Sequence, residues 1–398
     1  MLIPISYNLR SLFVRRAATL LTVLGIGATV AIFAGVLALQ QGFKTMFVAG
    51  GREDVVVFLR PGATGETDSQ FRRDLGLKLI KGLPEIELGP NGPLASMECY
   101  FAVLRPKMDG GQVNVPMRGV QPATFEIRGD EIKIVEGRNF TPGTDEVIVG
   151  RKLVERLQDC RLGDVLQINT TPCRVVGVFD HQGAYSSEIW GDLERFLATL
   201  DRYGPNRVIA KVKPGTLVGD PDAEGGPEPG SLAARVKNDN EVPAKALTEK
   251  QFLLSQTRML GGILLFLGVV LAFIMGIGAT FTAINTMLSA ISSRTSEIGI
   301  LLSMGFRPLP IFLSFMFESI VLCVLGGFAG CLLALPFNGI ETGTMNGQTF
   351  TEVAFAFRVT PAVLVASVSF SLLLGLFGGV WPAFRACRMT PTEALRRQ

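Results

Sequence analysis

The stretch AATLLTVLGIGATVAIFAGVLALQQGF, Ala17 to Phe43, contains no Asp, Glu, Lys or Arg. Met259 to Ser293 and Val359 to Phe384 are equally free of charge, and Pro308 to Ile340 carries only Glu318. A helix rises about 1.5 Å per residue and a bilayer's hydrocarbon core is about 30 Å thick, so about 20 apolar residues span it. The sequence therefore predicts four transmembrane α-helices, one and then three, at 17–43, 259–290, 309–337 and 360–384. A large α+β domain, 44–258, is inserted between helices 1 and 2.

Composition agrees with a membrane protein. Of the 398 residues, 48% are hydrophobic and 18% charged, against about 25% charged in an average soluble domain. A net charge of +3 is too small to point to nucleic acid. The basic residues mark topology instead. Arg10, Arg15 and Arg16 precede the first span, Arg294 and Arg307 lie in the short 291–308 loop, and Arg385, Arg388, Arg396 and Arg397 follow the fourth. The loop between spans three and four has only Arg358, against Glu341 and Glu352. The positive-inside rule puts residues 1–16, the 291–308 loop and the 385–398 tail in the cytoplasm, with 44–258 outside. The first span reads as an uncleaved anchor: its apolar core exceeds a signal-peptide core, and Ala38-Leu39-Gln40 is a poor cleavage site.

In the inserted domain, Asp54 to Leu59 reads as a β-branched strand, Phe71 to Lys81 as a helix, and Val113, Val115 and Met117 alternate as a half-buried strand. Arg151 to Gln158 reads as a short amphipathic helix. Val165–Ile168 and Cys173–Phe179 read as a hairpin after the Leu162-Gly163-Asp164 turn. Pro214 to Ser231 is a Gly/Pro/Asp-rich excursion, followed by a helix and a strand over Leu232–Leu247. The order leaves room for two subdomains. No Ser/His/Asp or Cys/His arrangement is visible, and the single histidine, His181, lacks an obvious partner. No metal-ligand spacing exists, so no catalytic, metal or cofactor site is expected. There is no P-loop; any ATPase belongs to another polypeptide. Cys160 and Cys173 flank a short segment; a disulfide and two free buried thiols both remain open, the second preferred.

The 291–308 loop is the sharpest local signal. It reads Ser292-Ser293-Arg294-Thr295-Ser296-Glu297-Ile298-Gly299-Ile300-Leu301-Leu302-Ser303-Met304-Gly305-Phe306. Ile291, Ile298, Leu301 and Leu302 share a helical face, with Ser293, Ser296 and Glu297 off it. Arg294 falls in the apolar sector, so it should snorkel toward headgroups, and its spacing allows a pair with Glu297. Gly305 should end the helix and Pro308 prevent a restart. A surface helix joining two spans and a docking face for a soluble partner are both open. Glu318, a charge within a span, is costly and should face protein or water. A transport path or proton relay is open; structural pairing with another helix or a partner is preferred.

The run from Glu136 to Phe179, EGRNFTP…EVIVGRKLVERL…LGDVLQIN…CRVVGVF, resembles the periplasmic core domain of MacB-type ABC transporter subunits. Arg294-Thr295-x-Glu297-Ile298-Gly299, with Gly305, resembles the coupling loop of FtsX/MacB permeases. Phe317-Glu318-Ser319, Gly326-Gly327, Gly330, Pro382-Ala383-Phe384-Arg385-Ala386 and Pro391-Thr392-Glu393-Ala394-Leu395-Arg396 extend the likeness, as does Asn8-Leu9-Arg10 near the start. The resemblance implies a non-catalytic permease subunit that binds no cofactor itself. ATP would be hydrolysed by a cytoplasmic ABC ATPase docked on Arg294, Thr295, Glu297, Ile298, Gly299 and Gly305. A second permease copy and a periplasmic adaptor are implied partners, and the bacterial cytoplasmic (inner) membrane the location. The work is efflux or lipoprotein release; the alternative is an FtsX-like scaffold controlling an external hydrolase. Few polar groups line the spans, which favours transmission of force over passage through a pore.

Overall fold

The computed structural model describes residues 16–48, 50–305, 307–345 and 352–389. Asn8, Arg10, Phe306, Pro391, Glu393, Ala394 and Leu395, with the rest of 1–15 and 390–398, lie outside them. The chain forms two compact units. One gathers residues up to Gly42, Ile263–Ile340 and Ala356 onward; the other is Phe43–Gly262 with Glu341–Phe355.

The first helix is α1 (Arg16–Val48). The inserted domain then folds around one ten-stranded mixed sheet. Its strands are β1 (Val55–Leu59), β4 (Ala95–Pro106), β5 (Gln112–Val120), β6 (Lys133–Gly137), β7 (Glu146–Gly150), β8 (Val165–Ile168), β9 (Thr171–Asp180), β10 (Ile189–Asp192), β11 (Arg207–Lys211) and β12 (Lys245–Thr248). A two-residue pair, β2 (Leu88–Gly89) and β3 (Gly92–Pro93), stands apart. The sheet order is β12-β1-β11-β4-β5-β10-β7-β9-β6, with β8 also on β9. Short helices α2 (Arg73–Gly82), α3 (Pro122–Arg128), α4 (Arg151–Val154), α5 (Leu193–Thr199) and α6 (Leu232–Lys237) connect them.

The β1 sequence VVVFL is buried at all five positions, as β-branched and aromatic residues in a central strand should be. Val56, Phe58, Met97, Val115, Met117, Val149, Ile189 and Phe196 join one core. The β8–β9 hairpin forms with Val165 opposite Arg174 and Ile168 opposite Thr171. Gly163 turns the chain with φ +92°, a conformation only glycine adopts cheaply.

One strand, β4, belongs to both halves of the sheet. Its first residues pair with β11 and its later ones, from Cys99, with β5. The helix expected over Arg151–Gln158 stops at Val154, because the following backbone turns to the β4–β5 hairpin: Met108 N donates to Arg156 O at 3.0 Å and Gln158 N to Pro106 O at 3.0 Å. The second span, Gly261–Ser292, is the later part of α7 (Glu249–Ser292), one unbroken helix of 44 residues that begins ahead of it. A reciprocal cap starts it: Gln251 N donates to Thr248 Oγ1 at 3.1 Å and Thr248 N to Gln251 Oε1 at 2.9 Å.

The remaining elements are α8 (Thr295–Ser303), α9 (Pro308–Ala334), strands β13 (Glu341–Met345) and β14 (Glu352–Ala356), and α10 (Pro361–Cys387). The loop between spans three and four thus contains a two-stranded sheet that the sequence reading missed. Among the described residues, four helices are long and apolar enough to cross a membrane: Arg16–Met46, Gly261–Ser292, Pro308–Phe337 and Pro361–Cys387.

Small residues let these helices approach. A carbon added at Gly330 of α9 would come within 2.6 Å of the Gly27 carbonyl oxygen of α1. One at Gly379 of α10 would reach Ser319 Cβ at 2.6 Å, and one at Gly268 of α7 would reach Val36 at 2.4 Å. A carbon added at Gly278 of α7 meets nothing within 4 Å. Across the α9–α10 contact, Ser319 Oγ donates to the Gly375 carbonyl at 2.8 Å, and Thr22 and Thr286 hydroxyls join α1 to α7 at 2.8 Å.

Candidate functional site

The loop after α7 folds into α8. Arg294 is its N-cap position, and Thr295 Oγ1 donates to the Ile291 and Ser292 carbonyls at 3.1 and 2.9 Å, joining α8 to the end of α7. Ile298 is 3% exposed and packs with Met287, Ile291, Ile311, Phe315, Met316, Leu322, Ala383 and Ala386, so one face of α8 is fixed on α7, α9 and α10. Gly299 is buried as well. Gly305 follows with φ +86°, and Pro308 opens α9. The other face presents Ser293, Ser296, Glu297, Ile300 and Met304 to solvent. Ile300 is 50% and Met304 64% exposed. Glu297, Ile300 and Met304 lie three and four residues apart, on one helical stripe.

Arg294 does not reach out to headgroups. Its side chain is 13% exposed, and its Nη1 lies 3.5 Å from Oε2 of Glu318 on α9. Glu318 is 4% exposed. The intramembrane charge and the first residue of the loop motif, 24 positions apart, therefore form an ion pair. A charge in such a place is tolerated when an opposite charge is fixed beside it. The pair ties the start of α8 to α9. Pro382 is buried inside α10, while Arg385 is exposed with its guanidinium 5.8 Å from the Trp381 ring centre.

The inserted domain holds a buried charge network that sequence reading missed altogether. Arg118 donates from Nε and Nη2 to Glu188 at 2.8 and 2.8 Å, and from Nη1 and Nη2 to Glu66 at 3.0 and 3.1 Å. Arg207 donates to Glu98 at 2.8 and 2.6 Å and pairs with Glu66. Arg128 holds Glu249, the first residue of α7, at 2.9 and 2.5 Å, and Tyr185 donates to the same carboxylate at 2.8 Å. Trp190 Nε1 donates to Glu188 at 2.8 Å. The guanidiniums of Arg118, Arg128 and Arg207 lie 5.2, 4.7 and 5.9 Å from the Tyr185 ring centre. Each of these ionic side chains is at most 7% exposed.

The electrostatics fit a scaffold. Burial raises the Glu249 and Glu98 carboxyls, but the adjacent arginines outweigh it and hold both below the usual range. Burial pushes Tyr185 up to about 12, and burial with the Arg128 charge pushes His181 down to about 4. These four groups are moved away from neutrality, the opposite of a tuned acid–base pair. A polar cavity of about 680 Å³ opens beside the network, lined by Arg52, Arg128, Glu131, Lys133, Asp180 and His181. Cys99, Cys160 and Cys173 are free and buried. Burial raises the Cys160 and Cys173 thiols to about 11. Only local irregularity marked the network in the sequence: a charge inside an otherwise apolar strand, as at Met117-Arg118-Gly119.

Four span-length helices and an inserted α/β domain define a membrane protein with a large domain between helices 1 and 2. Residues 19–220 match the MacB-like periplasmic core domain and residues 262–391 the FtsX-like permease C-terminal domain. The chain belongs to the MacB-like periplasmic core domain family, joined to an FtsX-like permease domain. Its relatives are MacB-type ABC transporter permeases. The macrolide export ATP-binding/permease protein MacB of Agrobacterium fabrum is 23% identical over 97% of this chain and 59% of that protein. The pyoverdine export ATP-binding/permease protein PvdT of Pseudomonas fluorescens is 26% identical over 97% and 58%. The ABC transporter permease YknZ of Bacillus subtilis is 25% identical over 98% and 97%. The chain thus spans less than two thirds of the MacB and PvdT relatives. Among solved structures, the periplasmic region of MacB from Actinobacillus actinomycetemcomitans aligns with TM-score 0.36 at 14% identity, covering 53% of this chain and 96% of that one. The extracellular domain of YknZ aligns with TM-score 0.35 at 13% identity, covering 48% and 98%.

Proposed function

We propose that this chain is the permease part of an ABC transporter that converts ATP hydrolysis on an associated ATPase subunit into mechanical work by the inserted domain. The work is of the efflux or lipoprotein-release type. The chain itself performs no catalysis and binds no cofactor; ATP acts on the partner. The reading takes the cytoplasmic (inner) membrane of a bacterium as its location, with both termini, α8 and the 291–308 loop on the cytoplasmic side. A second permease copy completes it, and a periplasmic adaptor receives the substrate.

The observation that carries this reading is α8. One face is locked by Ile298 and by the Arg294–Glu318 pair, and the opposite face offers Glu297, Ile300 and Met304 to solvent. An acidic residue flanked by two apolar ones on a held helix suits docking into a groove with an apolar floor and a basic rim. Because α8 is held by α7, α9 and α10, a push on it moves the spans and not a loose loop. Names of relatives that specify macrolide and pyoverdine export support efflux of a small molecule as the class of work.

The test is co-purification from native membranes. The unaltered chain is expected to bring down an ABC ATPase, and Glu297→Lys to lose it. An ATPase retained equally by Glu297→Lys and Ile300→Asp removes α8 as the docking face. Absence of any ATPase from the unaltered chain defeats the transporter reading.

A further inference from the structure

The 680 Å³ cavity of the inserted domain carries an unbalanced charge. Two guanidiniums line it, and each already grips a carboxylate with two nitrogens. Arg52 donates to Asp54 through Nε at 2.7 Å and through Nη2. Arg128 holds Glu249 in the same way. A third carboxylate, Glu131, lies 3.6 Å from Arg52 Nη1 and 3.7 Å from Arg128 Nη1, beyond hydrogen-bond length. Its Oε2 is buried and accepts no hydrogen bond. Three carboxylates thus share two guanidiniums, and Glu131 is the surplus anion. Burial outweighs both arginines and raises its carboxyl above the usual range.

The rest of the lining adds to the excess. Glu126, Asp130 and Asp180 face the cavity, against Lys133 and Lys211. Lys211 is held by Glu87 at 3.0 Å. Asp180 has a distant ion pair with Arg151 at 3.9 Å, and Glu126 accepts from Asn91 at 2.7 Å. These anions are dispersed: among the described residues, no three His, Cys or acidic groups come together as metal ligands do. Scattered carboxylates around a cavity of drug-like size suit an organic molecule with several ammonium groups, not a bare ion.

His181 supplies a second, independent feature. It is 6% exposed and lines the same cavity. Gly183 N donates to its Nδ1 at 2.8 Å, so the neutral ring carries its proton on Nε2. That N–H has no acceptor among the described residues. It lies on the side of Gly50, another lining residue, where an added carbon would come within 2.5 Å of His181 Cε1 and 3.3 Å of Nε2. A buried donor without an acceptor is costly, and an oxygen of a bound molecule satisfies it.

We propose that this cavity binds a hydroxylated organic polyamine, of the chemistry of an amino sugar, with ammonium groups on Glu131 and Asp130 and an oxygen on the His181 Nε2–H. The site lies wholly within the inserted domain and does not depend on the ATPase-coupled reading; a chain that brings down no ATPase still binds the amine.

The experiment is calorimetric titration of the full chain in detergent, with kanamycin as the probe. Spermidine, which has amines but no oxygen, and Mg²⁺ are titrated beside it. Kanamycin is expected to bind one per chain. Glu131→Gln is expected to weaken it at least about tenfold, the worth of a charged hydrogen bond. His181→Phe is expected to weaken kanamycin roughly fivefold and leave spermidine unchanged, a difference that loss of folding does not produce. Lys133→Ala removes the exposed opposing cation and is expected to tighten both amines roughly threefold, an outcome open only to a folded chain. Kanamycin binding indifferent to Glu131→Gln and His181→Phe overturns the site. Equal losses of kanamycin and spermidine in His181→Phe overturn the assigned oxygen contact. Displacement of kanamycin by stoichiometric Mg²⁺ overturns the polyamine in favour of a metal ion, and absence of kanamycin binding to the unaltered chain overturns the proposal outright.

Discussion

Replacing Glu249 with Gln tests whether the charge network anchors α7. Glu249 is fully buried, and Arg128 grips both of its carboxylate oxygens. Glutamine keeps the volume but removes the charge. Arg128, itself 0% exposed at the side chain, then loses its bidentate carboxylate and is left with Glu131 at 3.7 Å as a paired anion, the Tyr185 hydroxyl at 3.2 Å and the neutral amide oxygen of the glutamine. Breaking one side of a buried pair costs about 3–5 kcal/mol, because the surviving charge stays desolvated. That is a large share of the roughly 5–15 kcal/mol that holds a domain folded. With a urea slope of about 3 kcal/mol per M, the unfolding midpoint should fall by roughly 1–1.7 M. Trp190 reports it locally, being buried and bonded to Glu188; Trp381→Phe removes the other tryptophan. The double change Arg128→Met/Glu249→Leu should recover most of the loss, since a well-packed apolar pair replaces a buried ionic one at little cost. A shift below about 0.3 M for Glu249→Gln, worth under about 1 kcal/mol on that slope, would refute the anchoring argument. A double variant weaker than the single one would refute it equally.

Two further outcomes are expected. His181 is held neutral down to about pH 4, against 6.5 for an ordinary histidine, so the unfolded chain takes up a proton that the fold refuses. Stability should therefore fall as pH drops from 6.5 toward 4, by about 1.4 kcal/mol per pH unit. His181→Asn should flatten the dependence between pH 7 and 5, as read from Trp190 unfolding midpoints. Removing one charge of the Arg294–Glu318 pair, as in Glu318→Gln, should cost about 3–5 kcal/mol and lower the melting temperature of the detergent-extracted chain. The swap Arg294→Glu/Glu318→Arg should restore it, whereas a chain indifferent to all three changes would show that the pair holds nothing.

The spans were legible in the sequence because the bilayer imposes a rule on composition alone. About 20 uncharged residues read the same in any context, and Ala17–Phe43, Met259–Ser293, Pro308–Ile340 and Val359–Phe384 obey it. The α8 helix was legible too, since Ile291, Ile298 and Leu302 keep helical spacing and Gly305 stops the run. The start of α7 was missed, although Thr248 and Gln251 spell its cap, because charge counting looks for the membrane and not for the helix. Helix continuity depends on local hydrogen bonding, which does not end where charges begin.

What only the tertiary structure decided is which distant residues meet. Arg294 carried a spacing that suggested headgroups, yet its guanidinium lies against Glu318, because α9 returns past the start of α8 and brings a buried carboxylate within 3.5 Å. Glu66, Glu98, Arg118, Arg128, Glu188, Arg207 and Glu249 are scattered over more than 180 positions and share no spacing. Glu98 of β4, Arg118 of β5 and Arg207 of β11 meet because these strands are neighbours in one sheet, and a charge taken from water by folding is tolerated only where the fold delivers its counter-charge. Periodicity records the face a residue occupies within its own element; the partner across that face is chosen by sheet order and helix packing, which no local stretch of sequence contains.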